Sequence, residues 1–289
     1  MIPNNFEYIR ANSVQEALQL LSQKGDGARL LAGGHSLIPA MKLRLNAPET
    51  VIDISGIQDL ASIHRDGGRL HIGALVTHRT VETSDEVKSS CPVLSEAAAL
   101  IGDPLVRNRG TIGGSLAHCD PAADYPALTL CLDAEIEATG PSGSRTIAAD
   151  DFFVGMFETA LQPGEMITRV TFPVLTRGTG AAYEKFSHPA SRFAVVGVAA
   201  MVTLDGSGNC SSVRVAITGA GPSVFRATKV EQALTGKAPD EQAISDATQD
   251  VADPADLMSD ISASAEYRAH LCSVLSRRAL QRAVQAARG

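Results

Sequence analysis

Two glycine-rich segments are the residues of this sequence with the clearest chemical potential. The first reads Ala32-Gly33-Gly34-His35-Ser36, and the second reads Arg109-Gly110-Thr111-Ile112-Gly113-Gly114-Ser115. Glycine lacks the Cβ that keeps a backbone away from an anion, and it permits positive φ angles that point successive N–H groups into one concavity. A Gly-Gly pair alone is more typical of a tight turn. Two such segments, each exposing adjacent N–H groups, suit the diphosphate of a dinucleotide.

The common nucleotide-binding motifs are absent from the chain. Neither G-x-G-x-x-G nor G-x-x-x-x-G-K-[ST] occurs, so a Rossmann NAD domain and a P-loop kinase or ATPase are not supported. The paired segments therefore predict a different dinucleotide fold.

Other reactive side chains do not assemble into a catalytic or metal motif. His118, Cys119 and Asp120 are adjacent in one loop, where neighbours rarely converge on one ion or form a thiol–imidazole pair. The five cysteines have no C-x-x-C spacing, which argues against zinc or an iron–sulfur cluster in this chain. Ser36 lacks the G-x-S-x-G context of a hydrolase nucleophile. We predict no catalytic residue and no metal ligand.

Four charged residues have two possible roles each. Asp124, which follows the second glycine segment, could accept hydrogen bonds from ribityl or ribose hydroxyls, or it could cap the helix that starts there. Lys185 could place a cation beside a flavin or phosphate, although a solvated strand lysine is the more usual role. Arg107 precedes the second segment and Arg109 is its first residue, and both could contact a phosphate or a partner.

The elements predicted around the first segment form a compact βαβαβ unit. Ser13-Val14-Gln15-Glu16 is a capping box that opens a helix ending at Gly25. Strands are predicted at Ala28 to Leu31 and at Thr50 to Ile54, with a short helix after Ser36 between them. The first segment then lies between a strand end and a helix start, where N–H groups favour phosphate.

The rest of the chain predicts two further parts and an α+β fold. Residues 56–177 contain hairpins around Asp66-Gly67-Gly68 and Gly140-Pro141-Ser142-Gly143, with helices between them. Residues 178–289 contain strands at about 183–186, 194–204 and 212–219, followed by helices from about 227, 240 and 264. We therefore predict domains at 1–177, with subdomains 1–55 and 56–177, and at 178–289.

Composition limits the class of protein. The chain has 289 residues, 44% of them hydrophobic, and a formal net charge of −7. The acidic balance argues against sequence-independent nucleic-acid binding, which needs a basic surface. The N-terminus has no signal-peptide pattern and no apolar run reaches a membrane span, so a cytoplasmic location is expected.

Three motifs in order give the chain a specific resemblance. They are the first glycine segment, the stretch from Pro104 to Ser115, and Asp120-Pro121-Ala122-Ala123-Asp124. Together they resemble the FAD-binding medium subunit of molybdenum hydroxylases of the carbon monoxide dehydrogenase type, over essentially the whole chain. The resemblance implies an FAD domain of the vanillyl-oxidase/peptidoglycan-reductase (PCMH) type, with two subdomains, followed by an α+β flavoprotein C-terminal domain.

The resemblance also implies the residues that hold FAD. Ala32, Gly33, Gly34, His35 and Ser36 would wrap the diphosphate, and contacts to diphosphate, ribityl or ribose would come from Thr111, Gly113, Gly114, His118 and Asp124. Ile101, Ile167 and Lys185 match positions near the adenine or isoalloxazine. Phe193 falls where the carbon monoxide enzyme has a tyrosine over the flavin ring.

Such a subunit works with partners. In the family, a large subunit with molybdopterin oxidises the substrate, two [2Fe–2S] clusters in a small subunit carry electrons, and the FAD subunit collects them. The resemblance implies a dimer of heterotrimers, with association to the inner face of the membrane through the complex as one possible arrangement. It leaves open the substrate (carbon monoxide, a nitrogen heterocycle, a purine alkaloid or an aldehyde) and the external acceptor (a quinone, a redox protein or NAD).

Two alternatives stay open on the sequence alone. One is a free-standing FAD oxidase or reductase of the same superfamily, with FAD attached covalently through His35 or His118 as a variant of it. The other is a non-catalytic interaction subunit that kept the fold and lost the cofactor.

Overall fold

The first unit of the fold is a small parallel sheet with two helices. The computed structural model describes all 289 residues. The unit consists of β1 (Glu7–Arg10), α1 (Val14–Lys24), β2 (Ala28–Leu31), α2 (Leu37–Lys42) and β3 (Thr50–Asp53). The strand order is β1-β3-β2, and both pairings are parallel. The predicted βαβαβ unit is confirmed, with β1 as the strand that the sequence pattern did not locate.

The capping box at the start of α1 forms as predicted. Ser13 Oγ accepts a hydrogen bond from the Glu16 N–H at 3.1 Å, which satisfies one of the unpaired donors of a helix start. The Glu16 carboxylate reaches one residue further back than the usual box and accepts from the Asn12 N–H at 2.7 Å. Gly25, with φ of +57°, ends the helix.

The second unit is an antiparallel five-stranded sheet with seven short helices. Its first half comprises β4 (Ile63–Asp66), β5 (Arg69–Gly73), α3 (His78–Thr83), α4 (Asp85–Ser90), α5 (Pro92–Ala99), α6 (Pro104–Arg107), α7 (Ile112–His118) and α8 (Asp124–Cys131). Its second half comprises β6 (Glu135–Gly140), β7 (Gly143–Ala148), α9 (Ala149–Phe152), β8 (Phe153–Gly155), β9 (Glu158–Thr159) and β10 (Met166–Pro173). The order in the sheet is β4-β5-β10-β6-β7, while β8 and β9 form a separate hairpin.

The third unit is a four-stranded antiparallel sheet with helices after it. It comprises β11 (Thr179–Ser187), β12 (Ala194–Leu204), β13 (Cys210–Thr218), β14 (Phe225–Arg226), α10 (Thr228–Leu234), α11 (Glu241–Ala247) and α12 (Ala265–Arg288). Strand β12 lies between β11 and β13. Because α12 packs against β11 and β12, and α8 packs against β12 and β13, β12 is buried on both faces and is almost continuously apolar.

The second and third units share part of one core. Tyr183, Ala199 and Ala216 of the third sheet belong to the same buried cluster as the apolar residues of α5 and α8. A second cluster lies between α12 and the opposite face of that sheet. The helices of the chain are all too short or too polar to span a bilayer.

Candidate functional site

The two glycine segments lie against each other, although one belongs to the first unit and the other to the second. A Cβ on Gly33 would overlap the carbonyl oxygen of Arg109 and would lie 3.0 Å from the Cα of Gly110. Real Cβ atoms do not approach a backbone this closely, so no side chain fits at Gly33. Gly34 has φ of +76°, the left-handed region that glycine adopts without strain.

The first segment offers a row of free backbone donors. None of the N–H groups of residues 32–36 donates to an acceptor within the chain. Ser36 precedes α2 but makes no side-chain capping bond, and the His35 side chain is exposed, with its Nδ1 3.1 Å from the Gly33 carbonyl oxygen. Adjacent unpaired N–H groups at a strand-to-helix turn form an anion-binding concavity.

The second segment differs from the prediction, because its donors are mostly engaged within the chain. The N–H groups of Ile112 and Gly113 donate to the carbonyl oxygens of Val76 and Ala74, at 3.0 and 2.9 Å. The Gly114 N–H donates to Thr111 Oγ1 at 3.1 Å, since Thr111 is the N-cap of α7. The expectation of several free donors here was wrong: pairing with residues 74–78 and the helix cap use them.

The glycines of the second segment instead allow close approach. Gly113 packs on Ala74, where a Cβ would lie 2.5 Å from the alanine Cβ, and a Cβ on Gly110 would lie 2.5 Å from Nε2 of His78. Gly114 is different, because a Cβ there would meet only Thr111 Oγ1, at 2.8 Å. The face of the second segment at Gly114 is therefore open to a ligand.

His118 is the last residue of α7 rather than part of the loop with Cys119 and Asp120, and the three side chains have separate partners. The His118 ring lies 5.2 Å from the Phe157 ring, and the Cys119 Sγ lies 3.3 Å from the Glu158 carbonyl oxygen. Burial raises the pKa of the Cys119 thiol. Asp120 Oδ1 accepts from the Ala122 N–H at 2.9 Å. These three side chains do not converge on one point.

Asp124 and Lys185 form a buried ion pair between the second and third units. Lys185 Nζ lies 2.8 Å from the Asp124 carboxylate, and the two side chains are 1% and 4% exposed. Tyr183 Oη donates to the same carboxylate at 2.6 Å, and Lys185 Nζ also donates to the Leu100 carbonyl oxygen at 3.2 Å. Burial raises the pKa of Asp124, and the contacts with Lys185 and Tyr183 oppose that rise.

This ion pair excludes one of the two roles that the sequence left open for each of Asp124 and Lys185. Lys185 is buried and is therefore not a solvated strand lysine. Asp124 is not the N-cap of α8, because that position is taken by Ala123, and no side chain caps this helix. Tyr183 was missed by sequence reasoning because a tyrosine in a buried strand carries no signal of its partner.

The remaining predicted residues lie at different depths. Ile167 is buried in β10, and Ile101 is half-buried, with its carbonyl oxygen accepting from Arg107 at 3.1 Å. Arg107 pairs with Glu82 at 2.9 Å, whereas Arg109 is exposed. Phe193 is 43% exposed.

Phe193 lies beside the loop that joins α7 to α8. The next residue, Ala194, donates its N–H to the Ala122 carbonyl oxygen at 3.2 Å. His188 closes the turn before Phe193, since its Nδ1 accepts from the N–H groups of Ala190 and Ser191, both at 3.2 Å. The turn therefore presents an exposed aromatic ring next to residues 120–124.

Comparison with known proteins gives a consistent family. The model for the FAD binding domain in molybdopterin dehydrogenase matches residues 4–175, and that for the CO dehydrogenase flavoprotein C-terminal domain matches residues 181–283. The 6-hydroxypseudooxynicotine dehydrogenase complex subunit alpha of Paenarthrobacter nicotinovorans is 38% identical, over 100% of this chain and 97% of its own length. The carbon monoxide dehydrogenase medium chain of Hydrogenophaga pseudoflava is 40% identical, over 98% of both.

Solved structures agree with the sequence relatives. Carbon monoxide dehydrogenase from Hydrogenophaga pseudoflava contains a chain that is 41% identical, with a TM-score of 0.95 and 99% of each chain covered. Quinoline 2-oxidoreductase from Pseudomonas putida 86 contains one that is 32% identical, with a TM-score of 0.92 and 100% of each chain covered. The chain therefore belongs to the family of FAD-binding medium subunits of molybdenum hydroxylases, and it is an oxidoreductase subunit.

The residues present fit the cofactor of that family. The free donors of residues 32–36, the close packing of Gly33 on the second segment and the open face at Gly114 form a cradle whose donors are backbone N–H groups. A diphosphate needs hydrogen-bond donors and close backbone approach, and this cradle supplies both. The predicted fold class and FAD cofactor are confirmed by the family match.

Proposed function

We propose that this chain is the electron-transferring FAD subunit of a heterotrimeric molybdenum hydroxylase. In the proposed complex a small subunit with two [2Fe–2S] clusters delivers electrons, and a large molybdopterin subunit oxidises the substrate. The observation that supports this role most directly is the cradle at the junction of the first and second units. The domain division at residues 177 and 178, and assembly as a dimer of heterotrimers, belong to the same proposal.

The residues of the cradle would bind and orient the cofactor. The N–H groups of residues 32–36 would donate to the diphosphate, and the open face at Gly114 would admit it from the other side. Thr111 and His118, at the two ends of α7, are proposed contacts of the diphosphate, ribityl or ribose. Bound flavin supplies an acceptor that takes electrons singly and releases them in pairs.

The buried ion pair and the exposed aromatic would act on the other parts of the cofactor. Asp124 and Lys185 are proposed contacts of the ribose or flavin region, where the pair also fixes the start of α8 against β11. Phe193 would offer a stacking surface for the flavin, and Ile101 and Ile167 would shape its apolar surroundings. No side chain of this chain has to donate or abstract a proton from the hydroxylated substrate, because that substrate would bind the large subunit.

The experiment that tests this function is a native pull-down of the chain from its source organism, with flavin, iron and molybdenum measured together. The proposal is supported if the chain is recovered with one larger and one smaller partner, and if the complex contains near-stoichiometric flavin together with iron and molybdenum. A yellow protein without metals or partners would instead favour a free-standing flavoenzyme, and acid precipitation would show whether its flavin is covalent. A complex without flavin would contradict the proposal.

Substitution of Gly114 by valine tests the cradle itself. The added side chain would fill the open face while meeting only Thr111 within the chain, so we expect flavin content to fall to near zero with circular dichroism retained. Gly68→Ala, in open space on the β4–β5 turn, is the control and should load normally. Normal flavin content in Gly114→Val would contradict the proposed site.

A further inference from the structure

His78 packs against Gly110 of the second glycine segment. It is the first residue of α3, and its N–H donates to the Gly110 carbonyl oxygen at 2.9 Å. Gly110 is enclosed between two neighbours: its Cα is 3.0 Å from the Cβ position of Gly33, and its own Cβ position is 2.5 Å from His78 Nε2. The imidazole therefore occupies the space that a side chain at residue 110 would take.

Two buried polar atoms at and beside the His78 ring have no hydrogen-bond partner within the chain. The side chain is 5% exposed, and its Nδ1 is buried without a hydrogen-bond partner. The neighbouring Tyr125 ring, with centroids 5.4 Å apart, is fully buried and its hydroxyl is unpartnered as well. Two unpaired buried polar groups cost stability. Because the chain gives neither group a partner, we attribute the histidine to the ligand site that Gly110 borders rather than to the stability of the fold.

The titratable groups near His78 come from two segments besides α3. They are His35 of the first segment and Arg107 of α6, and Arg107 is paired with Glu82 of α3 at 2.9 Å. Burial, together with His35 and Arg107, lowers the pKa of His78 to about 4. The ring is therefore neutral near pH 7. An anion bound in the cradle would favour the imidazolium, because a nearby negative charge stabilises the cation.

We propose that His78 is a positioning residue of the diphosphate site, which seats the second glycine segment and takes up a proton when a diphosphate binds. This inference rests on the proposed FAD role of the cradle. The proposed proton uptake predicts that the affinity for the cofactor changes with pH in one direction. Because the His78 pKa rises on binding, affinity should increase as the pH falls below the pKa of the complex, with a limit of about tenfold per pH unit.

The test is a titration of the deflavinated full-length chain with FAD, followed by flavin fluorescence between about pH 5 and pH 8. We expect the wild-type Kd to tighten as the pH falls. His78→Gln should lose this gain, which amounts to at most about tenfold per pH unit, so it should bind more weakly than wild type at pH 6 and its Kd should vary little with pH. His64→Gln, an exposed histidine on β4, is the matched control and should behave as wild type.

Calorimetry of the wild-type chain covers the case in which His78→Gln does not fold. FAD binding at pH 6 in two buffers of different ionisation enthalpy should show net proton uptake. The role of His78 would be overturned if no proton uptake is measured. It would also be overturned if the pH dependence of the Kd is lost in His35→Gln but kept in His78→Gln. Failure of the folded wild-type chain to bind FAD at any pH would overturn the proposed function, and with it this inference.

Discussion

Individual glycines in the two segments have different physical roles. Gly33 is needed because the Arg109 carbonyl oxygen occupies the space of a Cβ, and Gly34 is needed for its positive φ. Gly110 and Gly113 let His78 of α3 and Ala74, which follows β5, approach the second segment, and Gly114 leaves the ligand face open. The five glycines look alike in the sequence, but the structure gives them three functions: close packing at Gly33, Gly110 and Gly113, a positive φ at Gly34 and an open face at Gly114.

Substitution of Gly33 by alanine should separate the two glycine segments. Relief of the overlap with Arg109 requires a backbone shift, so we expect a loss of about 1–3 kcal/mol in the free energy of unfolding, typical of an overpacked site. The flavin content should fall as well, because the donors of the first segment would move away from Gly114. Urea unfolding and flavin absorbance measure both effects. Gly68→Ala provides the comparison, and a Gly33→Ala protein with equal stability and flavin content would contradict the packing described.

At the scale of elements, the third unit holds the loop between α7 and α8 in place. The Gly219 N–H donates to the Pro121 carbonyl oxygen at 2.7 Å, and Thr218 Oγ1 donates to the Ala123 carbonyl oxygen at 2.7 Å. Arg268 of α12 donates in turn to the Gly219 carbonyl oxygen at 2.7 Å. The last helix is thereby connected to residues 120–124 through the end of β13. The ion pair between Asp124 of α8 and Lys185 of β11 is the most deeply buried ion pair between the second and third units.

Replacement of Lys185 by methionine should break that link and leave a buried carboxylate unpaired. We expect a loss of about 3–5 kcal/mol in the free energy of unfolding at pH 7. The pKa of Asp124 is already raised above 3.8 by burial, and without Lys185 it would rise further. A carboxyl whose pKa is higher in the folded state destabilises the fold as the pH rises through the interval between its unfolded and folded pKa values. The deficit should therefore shrink as the pH falls into that interval.

Urea unfolding at neutral and mildly acidic pH measures this deficit. Lys88→Met removes an exposed lysine from α4 and should change stability by less than about 0.5 kcal/mol. Addition of Asp124→Asn to Lys185→Met should recover part of the loss, since the buried charge is then removed. A deficit that is the same at every pH would show that Asp124 is not the cause.

At the scale of the whole molecule, the candidate cofactor site joins all three units. The first segment comes from the parallel sheet, the second comes from the five-stranded sheet, and the Asp124–Lys185 pair connects the latter to the C-terminal sheet. A ligand that contacts all of them should stabilise the chain as one body. Because the formal net charge is −7, we expect the binding of an anionic dinucleotide to depend on local N–H groups rather than on a basic surface.

FAD should therefore raise the thermal stability of the deflavinated chain. At a free concentration one hundred times its Kd, a ligand specific for the folded state adds about 2.7 kcal/mol, which corresponds to a rise of several degrees in Tm for a protein of this size. Differential scanning fluorimetry with and without FAD measures the rise, and riboflavin, which lacks phosphate, should give a smaller one. An equal rise with riboflavin would mean that the cradle does not bind the diphosphate.

The sequence predicted the elements that have strong local signals. The capping box of α1, the hairpin turns, β12 and the long α12 follow from periodicity and turn residues, and they were confirmed. Helices α3, α4 and α6, with four to six residues each, were missed because one turn and a half shows no amphipathic period. His78 was missed with α3, since its importance depends on a partner, Gly110, that is 32 positions away.

The sequence by itself determined the family, the fold class and the positions of the two glycine segments, because these depend on residue types at fixed local spacing. Only the tertiary structure decided which segment keeps free donors, since that depends on whether residues 74–78 pair with it. It also decided that Asp124 and Lys185 are partners and that His78 lies under Gly110. Contacts between distant parts of a chain are fixed by packing, and no local pattern encodes them.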